Sequence, residues 1–159
     1  MPLIKQSHYN YCGVASTLQI LYALDSSQID RTSDDLKDQM DALAPSIMDG
    51  DSGSRYKIVY NVLVNENLEY EVKTSTASGV MASLQSGYPC IAHLNPAVFT
   101  RYQQYGTNVG DGHYCAVIGY DPVSDFFVFS DCSYLPGNFG IYLVHPSDYD
   151  SANKGMVRT

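Results

Sequence analysis

Up to Gln85 the apolar residues of this sequence recur mostly three and four positions apart, whereas from Cys90 onward they alternate or gather in runs of strand length. The first rhythm lays one face of a helix on a core and the second lays one face of a sheet there. Val14, Leu18, Leu21 and Tyr22 share a helical face, which predicts a helix from near Tyr11 to about Leu24. Thr32 and Asp35 fit a capping pair for a second helix, with Leu36, Met40 and Leu43 inward and Pro45 as its stop. Tyr56, Val59, Tyr60 and Leu63 predict a third, and Ser78 to Gln85 a short one halted by Gly87 and Pro89. One strand interrupts the series, in "LEYEVKT", where Leu68, Tyr70 and Val72 alternate with polar residues. "DGDSGS" reads as a solvated turn: its aspartates resemble the start of a calcium loop, but the rest of that pattern is absent. After Cys90, "CIAHL", "HYCAVIGY", "FFVFSD" and "GIYLV" are separated by turn chemistry such as "DPVSD" and "LPGN", as a mainly antiparallel sheet requires. Helices first and sheet second is an α+β layout.

A chain of 159 residues is long enough for one domain with a real core, expected here to span residues 1–159. "MPLIKQSH" has no apolar segment of signal-peptide type and no run is long enough to cross a bilayer, so a cytoplasmic protein without membrane attachment is expected. A net charge of -8 without a basic stripe argues against nucleic acid as a partner. The four cysteines form no CxxC pair and no His/Cys cluster at zinc spacing, so free thiols are expected, with no metal held by side chains.

One of those thiols stands out. In "QSHYNYCGVAST" Cys12 falls at the mouth of the first helix, where the partial positive charge of the helix end favours thiolate. Gly13 beside it leaves room for a substrate. His113 begins a strand after a glycine-rich loop in "GDGHYCAVIGYD", and Asp131 ends the next strand. Joined by the turn near Asp121 to Asp125, those strands are neighbours, so Asp131 can hold the imidazole tautomer. A buried structural cysteine, an ordinary histidine and a turn acid are the plain alternatives for each residue alone. Together with Gln6, placed six positions before Cys12 as an oxyanion donor, they reproduce the residue order of a papain-like cysteine peptidase. Cys90, Cys115 and Cys132 read as buried structural thiols.

"QSHYNYCGVASTLQILYAL" resembles the catalytic-cysteine segment of the phytochelatin synthase family, and "GHYCAVIGYDPVSDFFVFSDCSY" is similar to its histidine and aspartate block. The resemblance covers both ends of the chain and the middle by layout only. It implies a short form confined to the catalytic domain: a papain-like fold with Cys12 as nucleophile, His113 as base and acid, Asp131 as orienter and Gln6 as oxyanion donor. By it, the enzyme would transfer γ-glutamylcysteine from glutathione, either to a second γ-glutamylcysteine peptide or to water. No cofactor would be bound by the protein, and Cd2+ or Zn2+ would enter only as thiolate complexes of the substrate. Gly13, Asn95, Arg101, Gly112 and Tyr134 are the candidates for holding substrate, and a homodimer is left open. Tyr134 stands where the family often has arginine, and Cys115 and Ala116 replace its serine and proline. Two other classes remain: a C39-like cysteine peptidase, against which "YCGVAS" lacks a proline after the glycine, and a catalytically silent binding module of the same fold.

Overall fold

The computed structural model describes residues 3–24, 33–48, 71–73, 76–99, 112–133 and 139–158. The first helix, α1, covers Cys12–Leu24, close to expectation. Its burial is far wider than one amphipathic face: from Gly13 to Ile20 every residue is buried, including Ser16, Thr17 and Gln19. Each of those polar side chains donates a hydrogen bond, although Gln19 Oε1 is buried with no donor to it among the described residues. Thr17 Oγ1 donates to the Gly13 carbonyl at 2.7 Å, Gln19 Nε2 to the Ile4 carbonyl at 3.1 Å, and Ser16 Oγ to the Tyr114 carbonyl at 3.0 Å. A buried donor without an acceptor would lose about 1–3 kcal/mol, so these contacts are what permit a helix enclosed on nearly all sides.

The second helix, α2, is Ser33–Ile47, and Pro45 lies inside it rather than ending it. Proline there removes the bond to the carbonyl four residues back and its ring crowds that carbonyl. The buried Ile47 and the Met48 N–H donating to the Ala44 carbonyl at 2.8 Å carry the helix past it. The third described helix, α3, runs Ala77–Gln85, with Thr76 as N-cap and Gly87 following at φ +86°, a backbone conformation that side chains disfavour. The expected helix over Tyr56 to Leu63, the "DGDSGS" turn and the proposed cap at Thr32 lie outside the described residues.

Six described strands form one antiparallel sheet in the order β1-β6-β2-β3-β4-β5. They are β1 (Glu71–Lys73, the described part of the "LEYEVKT" strand), β2 (Cys90–Leu94), β3 (His113–Asp121), β4 (Phe126–Asp131), β5 (Gly140–Val144) and β6 (Asn153–Arg158). A short helix, α4 (Pro146–Ala152), leads into β6, which inserts between β1 and β2; neither element was expected. Alternation along β3 splits the core in two. Tyr114 and Ala116 pack with α1 and α2 on one face, and Cys115 and Val117 pack with Phe127, Phe129 and Tyr149 on the other. The sheet is thus covered by α1 and α2 on one side and by α3 and α4 on the other, an α+β architecture. Among the described residues no helix is long and apolar enough to cross a membrane.

Candidate active site

The segment leading into α1 is braced before the helix starts. Gln6 is buried; its backbone N–H donates to the Cys132 carbonyl at 2.8 Å and its Nε2 donates to the carbonyls of His8 at 2.8 Å and Tyr9 at 2.7 Å. Carbonyls only accept, so the amide nitrogen of Gln6 must face them and both its hydrogens are engaged. Gln6 therefore braces the turn ahead of Cys12 in this structure and is not aimed as a free oxyanion donor. The Tyr11 N–H donating to the His8 carbonyl at 3.1 Å closes the same turn. Cys12 then stands at the first position of α1, half-buried.

Strand register delivers the other two groups. Ala116 of β3 faces Ser130 of β4, which sets Cys115 opposite Asp131 and puts His113 diagonally across from it on the same face. His113 Nε2 lies 2.8 Å from Asp131 Oδ1, and that same oxygen accepts the Ser133 N–H at 2.8 Å. Asp131 is fully buried and His113 nearly so. With Nε2 committed to the carboxylate, Nδ1 is the ring nitrogen left for the Cys12 thiol, which is hydrogen-bonded to His113.

Burial works against ionising Cys12, but the hydrogen bond and charge of His113, with backbone N–H groups of Tyr114 and Gly13, outweigh it and hold the thiol below its ordinary value. For His113, burial opposes protonation, and the neighbouring Cys115 and Asp131 lift the imidazole well above its usual range. Cys115 is itself pushed up to about 11 by burial and then by Asp131, so at neutral pH it is an uncharged thiol. The standing charge that holds the imidazolium is therefore Asp131. The Cys12 thiol is thus shifted toward ionisation and the His113 imidazole toward protonation, beside a carboxylate that fixes the ring, an arrangement able to serve as an activated nucleophile with a proton donor.

Among the described residues His113, Cys115 and Asp131 also form a group whose ligand atoms lie within 4.8 Å of one another, a set the sequence spacing did not reveal. Nε2 and Oδ1 are already bonded to each other, so a metal there would compete with the orienting hydrogen bond.

The residues expected to hold substrate divide. Gly13 lies in the first turn of α1, and its N–H reaches the Cys12 sulfur. Asn95 spends Oδ1 as the N-cap of a 3-10 turn at Pro96–Val98, accepting the Ala97 N–H at 3.2 Å, while its own N–H donates to the Ala152 carbonyl at 2.7 Å. That is a structural role for Asn95, and an asparagine directly before proline is the signal that announces it. Gly112 is pressed on the His93 ring, so close that a Cβ would fall 2.0 Å from Nε2. His93 in turn stacks on Tyr114 with ring centroids 4.5 Å apart, a wall beside the catalytic strand that the sequence reading missed. Gly112→Ala is accordingly expected to destabilise the protein by about 1–3 kcal/mol, as overpacking does; a thermal melt matching that of the unsubstituted protein would show that the ring moves aside freely. Arg101 and Tyr134 lie outside the described residues.

No curated protein sequence matches the chain. Among solved structures, it is similar to a double glycine motif protease from an AMS/PCAT transporter in complex with its leader peptide, with a TM-score of 0.66 at 16% identity, covering 99% of this chain and 88% of that one. The peptidase domain of Streptococcus ComA superposes with a TM-score of 0.70 at 13% identity, covering 99% of this chain and 95% of that one. A Bacillus anthracis protein described as a C39-like peptidase gives 0.60 at 13%, covering 99% and 92%. The fold is therefore that of the papain-like cysteine peptidases, in its C39-like form.

This corrects the phytochelatin synthase resemblance, which rested on two segments. The match to peptidases runs through the middle of the chain as well. The order Gln, Cys, His, Asp belongs to the papain-like superfamily as a whole, so it could not choose between the two. Nor does the missing proline after Gly13 decide against a peptidase: Val14 occupies that helical position fully buried in the core. Matching over residues 1–138, the chain belongs to the Peptidase_C39 like family.

Proposed function

We propose that this protein is a cysteine peptidase that cuts a peptide through an acyl-enzyme, with Cys12 as nucleophile, His113 as acid and base, and Asp131 as orienter. The observation that carries the reading is the 2.8 Å contact between His113 Nε2 and Asp131 Oδ1, made on the far side of an imidazole hydrogen-bonded to the thiol at a helix N-terminus. The Cys12 thiolate attacks the scissile carbonyl and its carbon becomes tetrahedral. Backbone N–H groups at the start of α1 are the donors closest to the developing oxyanion, each worth about 3 kcal/mol in such sites. Gln6 joins them only where the oxyanion displaces one of the two carbonyls its amide now serves. His113 gives its proton to the departing amine, leaving a thioester on Cys12. Water then attacks the thioester carbonyl, giving up a proton to His113, and the thiolate leaves to release the carboxylic acid product.

A peptide is favoured over glutathione by the match to a peptidase family over residues 1–138. The proteases of the same fold that cut double-glycine motifs supply the first substrate to try. The test is to incubate the protein with a leader peptide in which a Gly-Gly motif is followed by further residues, and separately with glutathione, and follow products by mass spectrometry. Cleavage of the peptide that requires Cys12 is expected. Glycine released from glutathione with the peptide left intact would reverse the assignment. The same assay separates thiol from metal chemistry: iodoacetamide should abolish cleavage and EDTA should leave it unchanged.

A further inference from the structure

One thiol that the mechanism does not use sits where every part of the site meets. Cys132 directly follows Asp131 and so points to the opposite face of the sheet, toward α1. It is fully buried. Its Sγ lies 3.4 Å from the Cys12 carbonyl oxygen, 3.6 Å from that of Tyr114, 3.7 Å from Gln6 Oε1 and 3.6 Å from Ser16 Oγ, so its single S–H has several acceptors within reach. Its own carbonyl accepts the Gln6 N–H. These partners belong to the turn that precedes the nucleophile, to the first turn of α1, and to the strand that starts with His113.

We propose that Cys132 is a positioning residue for the nucleophile, its sulfur packed between, and its single S–H shared among, oxygens of the first turn of α1, the braced Gln6 amide and β3, so that Cys12 and His113 are held in register. The proposal rests on the peptidase reading, in that it assigns Cys132 a part in activating Cys12. A thiol ringed by acceptors works only as a donor, so it must keep its proton while Cys12 loses one. Burial above all, against the charge of His113 and aided by Cys12 and Asp131, pushes the Cys132 thiol well up and keeps it protonated. Two thiols in one site are thus shifted in opposite directions by different surroundings: one beside the imidazole, the other among carbonyl oxygens. Alanine or valine would remove the donor; serine would restore one with a shorter reach.

The test reads Cys12 itself and needs no substrate. The rate of iodoacetamide labelling at Cys12, located by peptide mapping, is measured against pH for the unsubstituted protein and for Cys132→Val, Cys132→Ala and Cys132→Ser, beside thermal melts and peptide cleavage. Valine keeps the apolar volume and guards against a variant that fails to fold. With the donor gone, the labelling profile should move toward that of an ordinary thiol. kcat should drop roughly tenfold to a hundredfold, the range for a small misplacement, with KM little changed, and serine should recover part of both. Lower melting temperatures with an unmoved labelling profile and unchanged kcat would reduce Cys132 to packing and overturn the proposal. If Cys12 of the unsubstituted protein itself labels like an ordinary thiol, the peptidase reading fails, and the proposal with it.

Discussion

Replacing Cys12 with alanine is expected to leave a folded protein whose peptide cleavage is lower by about 10⁴-fold or more, the scale on which loss of a nucleophile acts. Fold and activity separate cleanly here because Cys12 is only half-buried and one sulfur atom is removed from the edge of the core, while Val14, Leu18 and Ile20 still anchor α1. Far-UV circular dichroism and a thermal melt close to those of the unsubstituted protein, with cleavage gone, are the expected pair of results. Retained cleavage would move the chemistry to another group altogether.

The second large effect concerns Asp131, where two substitutions should differ. Asp131→Ala removes both the orienter of the imidazole and the acceptor of the Ser133 N–H, and kcat should fall on the order of 10²- to 10⁴-fold, the usual contribution of a positioned acid–base group. Asp131→Asn should fall less. A single oxygen, Oδ1, accepts from both His113 and Ser133, and an amide oxygen can do the same, so these two bonds can be kept while the charge is lost. The pH dependence then shows the sign. The active ion pair exists above the lowered titration of Cys12 and below the raised titration of His113. Removing the negative charge lowers the His113 value, so the alkaline limb of the kcat profile should move to lower pH in Asp131→Asn. An alkaline limb that stays in place would mean that Asp131 does not hold the imidazolium.

Much of this was legible in the residues. α1, α3 and strands β2 to β5 follow from periodicity bounded by turn residues, because each buries a face against the core and little else decides its shape. Pro45 misled because packing of Ala44 and Ile47 in the core carries the helix past the bond that proline removes, a tertiary cause the segment does not show. α4 has one fully buried large side chain, Tyr149, too little for a helical rhythm to register. β6 reads "NKGMVR", with a glycine and two cations, and is a strand because β1 and β2 offer hydrogen bonds on both sides, a tertiary cause invisible in the segment itself. That Cys12, His113 and Asp131 come together was readable because few residue types do such chemistry and their order is distinctive. Cys132 was not, since a buried cysteine looks the same whether its proton has a destination or none. The choice of family was missed for a related reason: the segments that resembled another family carry chemistry common to the whole superfamily, while the discriminating match is spread along the chain.

The place of β6 inside the sheet bears on how this protein acquires its shape in time. Glu71 pairs with Arg158 and Cys90 pairs with the same residue from the other side, so two strands far back in the chain wait for a late one before either is fully paired. Closing such distant pairings is slow, because chain entropy is lost before the contacts that reward it can form. Until β6 arrives, β2 keeps one edge open along "CIAHL", a largely apolar run with unpaired backbone that invites a strand from another chain. Yield of folded protein should therefore depend on the concentration at which refolding is attempted, and a chain interrupted before Asn153 should be recovered as aggregate even though every residue of the candidate active site is present in it.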